Sequence, residues 1–204
     1  MASMVAHVND PERVSVLPDA RSRLYDAAVA AFAATGFHGT TTRDIAAAAG
    51  MSPAALYVHH RSKEELLHQI ATEGHRRTLA LCREALAEGG GPGAELERLV
   101  RAFVRHHALH HTSARVVNYE LAALTPAHRC EIEAQRSDIQ WLVRDLLVRG
   151  VETGVFLTPD PMMTAAAVLS LGVDVARWYD ETGWAPEAVA EHYVGLVLRM
   201  VTAG

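Results

Sequence analysis

Lysine is almost missing from this 204-residue chain: Lys63 stands alone against 18 arginines, a skew that reflects base composition of the gene rather than function. Cysteine is scarce too. Cys82 and Cys130 lie far apart in no C-x-x-C pattern, which excludes a disulfide framework and a thiolate zinc site and leaves two reduced thiols. The longest uncharged apolar run, Met162 to Val173, is too short for a bilayer, which needs ~20 residues. The start of the chain lacks the charged, then apolar, then small-residue pattern of a secretory signal, so a soluble cytoplasmic protein is expected, with no membrane partner. Signatures of catalysis are lacking as well. There is no H-E-x-x-H, no dinucleotide fingerprint and no Ser-His-Asp spacing. Gly89-Gly90-Gly91-Pro92-Gly93 follows no strand and precedes no Gly-Lys-Ser/Thr, so it reads as a loop and not as a phosphate cradle. No cofactor is expected.

What is present is helix-forming. Alanine supplies 35 residues and glycine 14, and half of the chain is apolar, enough for one or two globular domains. The net charge of -5 is unevenly spread. Residues 20–63 hold Arg21, Arg23, Arg43, Arg61 and Lys63 against Asp26 and Asp44, a net +3 that leaves -8 for the remainder. A basic head on an acidic body suits one surface for a polyanion and another for something else.

Residues 1–18, with Pro11 and Pro18 and no periodicity, are expected to form a mobile arm. From Asp19 apolar residues recur at helical spacing through Tyr25, Ala28, Val29 and Phe32 until Gly36. Thr40, Thr41 and Thr42 are candidate caps for a helix over Arg43 to Ala49, which Gly50 stops. Ser52 caps a short helix with Pro53 at its first position, and Ser62 with Glu65 forms a capping box for a helix towards Leu86. Further helices are predicted over about 94–109, about 113–123, Pro126 to Thr153, Pro161 to Asp180 and Pro186 to Val201. Nothing reads as a strand. The expected fold is all-α, with about nine helices: a three-helix head over 19–65 and a larger body over 66–204.

Residues 42–61, TRDIAAAAGMSPAALYVHHR, meet the demands of a helix-turn-helix. Ala46 is small where one helix passes over the other. Gly50 suits a turn with positive φ. Ile45, Ala49, Met51 and Leu56 can glue the pair. If Leu56 faces inward, Pro53, Ala54, Tyr57 and Val58 face the groove, where small and apolar groups read thymine methyls. Thr42 and Ser52 offer hydroxyls beside helix N-termini, Tyr57, His59 and Lys63 reach towards phosphates, and Arg43 carries the fork that matches a base edge or a phosphate. The bland alternatives are packing for Tyr57 and a solvated helix start for Lys63; His60 reads as packed.

The run FAATGFHGTTTRDIAAAAGMSPAALYVHHRSKEELL resembles the DNA-binding head of the tetracycline-repressor (TetR) family over about residues 20–70. The resemblance implies a homodimer placing two recognition helices in successive major grooves of a palindromic operator, with contacts from the positions of Thr42, Arg43, Ser52, Ala54, Tyr57, His59 and Lys63. His60 stands where that family usually has Phe, and Val58 where Tyr is frequent. Repression released by a small-molecule effector is the family's habit.

One short helix reads few base pairs, so two heads about 34 Å apart are needed on physical grounds also. Val168, Leu171 and Val175 form one stripe and Val189, Tyr193, Leu196 and Met200 another, expected to pair across a two-fold axis unless both are intramolecular core. A ligand cavity is expected among the helices of 94–180, with Phe103, Tyr119, Trp141, Arg144, Arg177 and Trp178 as candidate contacts. The stretches VVNYEL and VARWY resemble a TetR branch that senses acyl-coenzyme A thioesters, and that resemblance implies a phosphate contact from Arg177. A dry, elongated cavity with an Arg at its mouth would favour such a ligand; a small polar cavity, or one lined by the histidine cluster of 106–111, would not. His106, His107, His110 and His111 share helix faces at i, i+4, metal-like in spacing but without a neighbouring Cys or carboxylate; polar surface or pocket wall is the expected role. The other function classes left open are an all-α enzyme and a helical interaction module without DNA.

Overall fold

The computed structural model describes residues 19–202; the arm expected at 1–18 lies outside them. Among the described residues there are nine α-helices, one short 3-10 turn and no strand. The helices are α1 (Ala20–Gly39), α2 (Thr42–Ala48), α3 (Pro53–His59), α4 (Lys63–Ala87), α5 (Pro92–Leu109), α6 (His111–Tyr119), α7 (Pro126–Glu152), α8 (Pro161–Trp178) and α9 (Pro186–Val201). No helix among them is long and apolar enough to cross a membrane.

Local chemistry sets most of these bounds. Asp19 accepts from the Ser22 amide at 2.7 Å and opens α1. Gly36, at φ +72°, breaks the α1 geometry where the sequence placed the stop. Of the three candidate threonines, Thr41 is the α2 cap, forming a reciprocal box with Asp44, so α2 starts at Thr42. Gly50 takes φ +67° in the turn, Ser52 caps α3, and Ser62 caps α4 through the Glu65 amide at 3.0 Å. The fifth helix starts two residues earlier than its spacing predicts, because Pro92 serves as its first helical residue. The helix expected over about 113–123 is instead α6, then a 3-10 turn over Leu121–Ala123.

Two apolar clusters hold the molecule. The first joins Leu24 and Phe32 of α1, Ile45 and Ala46 of α2, Leu56 of α3, and Leu66, Leu67 and Ile70 of α4 to Val116 and Val117 of α6 and Ile132 of α7. The second is built around α5, with Leu96, Leu99 and Phe103 packed by Val143, Leu146 and Leu147 of α7, Val168 and Val175 of α8, and Val189, Val194, Val197 and Val201 of α9. Ion pairs Arg101–Glu191 and Arg105–Glu187 (the latter 2.9 Å) lace α5 to α9 along the rim.

That arrangement corrects part of the expected pairing stripe. Val168, Val175 and Val189 are buried in the protomer's own core and present no surface to a second copy. Leu171, Tyr193 and Leu196 are only partly buried, and Met200 is exposed. The reason is that α8 and α9 are apolar around more than one face, so periodicity alone could not say which stripe α5 would take.

His60, which follows α3, is 2% exposed, and neither ring nitrogen has a hydrogen-bond partner. Burial holds its pKa below the usual histidine value, aided by nearby Arg21 and opposed by Glu65. A ring N–H left without an acceptor costs about 1–3 kcal/mol. The substitution His60→Phe is therefore expected to stabilise the protein by about 1 kcal/mol, read as a higher urea midpoint with an unchanged slope; a lower midpoint would show that the ring is matched to its site.

Candidate functional site

The outward side of α2 and α3 is built by default. Leu56, fully buried, anchors α3 to the head. One step of 100° turns the next side chains away, so Tyr57 is 54% and Val58 80% exposed, with Ala54 and His59 exposed beside them. Nothing among the described residues covers them. The Tyr57 hydroxyl lies 3.2 Å from the Thr42 hydroxyl, which ties the start of α2 to the middle of α3. The Ser52 oxygen accepts from the Ala55 amide at 3.2 Å, leaving its O–H free. Arg43 is exposed and makes no hydrogen bond or ion pair among the described residues.

Lys63 is placed differently. Its ammonium donates to the carbonyls of Phe37 and Thr40, both at 2.6 Å, and lies 4.1 Å above the Phe37 ring. Two of its three N–H groups are thus spent on the segment after Gly36, and one remains for an outside oxygen. From the other side Glu120, just beyond α6, accepts from the Phe37 amide at 3.0 Å. Glu120 was not singled out from the sequence. Only the 83-residue return of the chain brings it to Phe37.

A cavity of about 420 Å³ lies between α4, α5, α6, α7 and α8. It falls inside the roughly 300–1,000 Å³ range of small-molecule sites. Its deep walls are His75 and Thr78 of α4, Phe103 and His107 of α5, Val117 of α6 and Ile139 of α7, all buried. Its mouth has the exposed side chains of Tyr119, Arg136, Ser170 and Asp174. Of the expected contacts, Phe103 and Tyr119 line it. Trp141, Arg144, Arg177 and Trp178 do not. Arg136, Ile139 and Gln140 share one face of α7, and Trp141 and Arg144 fall on a neighbouring strip, with the Arg144 guanidinium 5.4 Å over the exposed Trp141 ring. Arg177 stacks over Tyr119 at 5.4 Å beside the mouth and reaches Asp174 at 3.4 Å. Trp178 packs on Trp184 and Tyr193, away from the cavity.

The histidine run divides by helix face. His107 is a wall of this cavity, and the rings of His106 and His110, 4.8 Å apart, line a smaller hollow next to it. His75 completes the set and was missed because a lone histidine in α4 carries no signal until α5 packs against it. Desolvation dominates at three rings, His75 and His107 buried and His106 partly so: each is pushed down to about 4, and neighbouring positive or histidine groups add to the shift. The thiol of Cys82, in the body core, is pushed up to about 12 by burial alone, and Cys130 is exposed.

Residues 24–70 match the model of bacterial regulatory proteins of the tetR family, and residues 89–201 match the tetracyclin repressor-like C-terminal domain. The chain is 30% identical over 181 residues to the HTH-type transcriptional repressor KstR2 of Rhodococcus jostii, covering 87% of this chain and 89% of that protein. The crystal structure of a tetR-family regulatory protein from Rhodococcus RHA1 is similar with a TM-score of 0.87 at 39% identity, covering 92% of this chain and all of that one. The ketosteroid transcriptional regulator KstR2 of Mycobacterium tuberculosis is similar with a TM-score of 0.84 at 26% identity, covering 92% and 97% of the two chains.

The three depressed histidines fix how stability depends on acidity. Unfolded rings bind protons near their ordinary value of 6.5, whereas the folded rings refuse them until about 4. Between those values unfolding takes up protons, so stability is complete above the upper one and falls as pH drops through the window. Urea midpoints measured from about pH 7.5 down to about pH 5.5 should decline, and His75→Phe should flatten that decline by about one proton; a midpoint independent of pH would mean the rings are not buried neutral.

Proposed function

Because the chain belongs to the TetR family of bacterial transcriptional regulators, we propose that it represses its target genes by binding a palindromic operator as a homodimer and that a small molecule in the body cavity releases it. As a member of that family the protein is a regulator and not an enzyme, which sets aside the all-α enzyme considered from the sequence, and the match of residues 24–70 sets aside an interaction module without DNA. We assign residues 19–65 to DNA reading and 66–204 to sensing and pairing, in the cytoplasm where the DNA is.

The observation that carries the reading is the α3 surface. A seven-residue helix held by Leu56 leaves Ala54, Tyr57, Val58 and His59 uncovered, with Arg43 unpaired alongside. Apart from the Tyr57–Thr42 contact, nothing among the described residues uses that face, and a short exposed helix of this kind can enter a major groove. Thr42 and Tyr57 hold each other in position, Ser52 and Lys63 each keep one hydrogen to donate, and Arg43 reaches a phosphate or a base edge. For pairing we assign Leu171, Tyr193, Leu196 and Met200, the part of the expected stripes that α5 leaves uncovered.

The effector we infer is amphipathic: an apolar part inside the cavity and an anionic part outside it, at Arg136 and Arg177. An acyl-coenzyme A or other lipid-like molecule has that form, with its acyl part within and its phosphates at the mouth; of the histidine cluster that would speak against it, His107 alone lines the cavity. The signal has a short path. Val117 is at once a cavity wall and a member of the head's apolar cluster, and three residues on Glu120 holds the Phe37 amide. A ligand that moves α6 therefore moves the segment that Lys63 of α4 also grips. Both heads must fit one duplex, so a displacement of a few ångströms costs contacts on one half-site.

Operator binding should be read by gel shift on a duplex that the protein itself selects from random DNA. Affinity is expected to fall steeply as salt rises, and Arg43→Ala and Tyr57→Ala should each weaken it by roughly tenfold. A monomer in solution, or binding indifferent to salt and to both substitutions, would sink the reading. Glu120→Gln is expected to leave operator affinity within about twofold while shrinking the response to effector, whose full coupling is typically ~1–3 kcal/mol; an undiminished response would remove α6 from the path.

A further inference from the structure

The deep wall of the cavity has a chemical demand of its own. His75 and His107 are 4% and 2% exposed. Each ring places Nδ1 2.8 Å from a main-chain carbonyl one turn back, Ala71 for His75 and Phe103 for His107. A carbonyl oxygen only accepts, so each Nδ1 carries the hydrogen and donates it. A neutral imidazole has one N–H, and the Nε2 of each ring is therefore a bare lone pair. Burial keeps both rings neutral around pH 7, as their fall to about 4 shows.

Among the described residues no donor meets His75 Nε2, which is buried and unpartnered. Its neighbours in the cavity direct hydrogens elsewhere, Thr78 and Tyr119 their single O–H and the amides and guanidinium one N–H each. Thr78 donates to the Gly74 carbonyl at 3.0 Å, Asn118 to the Ala114 carbonyl at 2.9 Å, and Tyr119 to Asp174 at 3.4 Å. Gln140 donates to the Met162 sulfur at 3.2 Å, and Arg136 reaches Asn118 at 3.3 Å. The remaining charges near the rings, Arg136 on α7 and the imidazoles of His106 and His110 on α5, all resist protonation of this pair. Asp174, the carboxylate of the lining, is exposed at the mouth.

We propose that the deep end of the cavity binds a hydrogen-bond donor, so that the otherwise apolar, buried part of the effector carries an alcoholic hydroxyl donating to His75 Nε2, with His107 Nε2 as a second acceptor. A ketone, an ester, a thioester carbonyl or a carboxylate offers only lone pairs there and would leave two acceptors facing each other. A site built around a buried polar group discriminates strongly against an analogue that cannot satisfy it. The inference rests on the reading of this cavity as the effector site.

The test uses the full chain and three probes of one length: 1-decanol, 2-decanone and decanoate, titrated calorimetrically without DNA at about pH 7.5, well above both folded histidine pKa values. The alcohol is expected to bind at least about tenfold tighter than either of the others. His75→Phe, checked for folding by circular dichroism, should erase the difference by weakening the alcohol and leaving the ketone within about twofold. Independently, nitrogen-15 resonances of the histidine rings in the unaltered protein should show unprotonated Nε2 that shifts with decanol and stays fixed with decanone. Failure of decanol to bind better than decanone, or protonated Nε2 in both rings, overturns the proposal. Operator binding measured in parallel separates the two readings. Decanol preference without any DNA binding overturns the regulatory reading alone. Operator binding with no preference overturns the assignment of the pocket alone.

Discussion

The angle of the head on the body depends on how the short segment after Gly36 is held. Two ionic side chains converge on it from different parts of the chain. Lys63 donates to the carbonyls of Phe37 and Thr40, and Glu120 accepts the Phe37 amide. Hydrogen bonds to charged groups are worth about 1.5–3 kcal/mol each, against about 1 for neutral ones. They clasp the head to α4 and α6 at the point where α1 stops being a helix. The apolar packing beneath, Val116 and Val117 on Leu66, Leu67 and Ile70, resists separation but does not by itself fix an angle. The ionic clasp fixes direction, and direction is what two heads on one duplex require.

The cavity is organised on the opposite electrostatic principle. Charge is kept at the mouth, on Arg136 and Asp174 with Arg177 close by, and neutral polarity is kept inside, on His75 and His107. Burial causes both. Side chains at the mouth reach water, and imidazoles shut between α4 and α5 lose their protons instead of bearing an unsolvated charge. A ligand is sorted in the same way, its ionic part left outside and its uncharged donor drawn in. One helix, α6, both walls the cavity and ends at the clasp, with no intermediate element between them.

Much was legible locally. The helix starts at Asp19, Ser52, Ser62 and Pro186, the turn at Gly50, the inward Leu56 and outward Tyr57 all follow from rules that act within a few residues, because capping and glycine chemistry and the 100° step of a helix need no tertiary partner. The family resemblance of the head is local for the same reason. The body was legible as helices, and its apolar stripes were visible, but their partners were not.

Short-range physics set the all-α plan and the basic helix-turn-helix head wherever the rest of the chain goes, and the resemblance of that head supplied the regulator. Tertiary structure decided the rest. It sent Val168, Val175 and Val189 to α5 instead of to a second copy, turned Trp141 and Arg144 away from the cavity, spent Lys63 on Phe37, and brought His75 to His107. Each of these depends on which of several adequate faces meets another element distant in sequence, and packing settles that choice by the fit of whole helices, which no spacing of residues along one helix encodes.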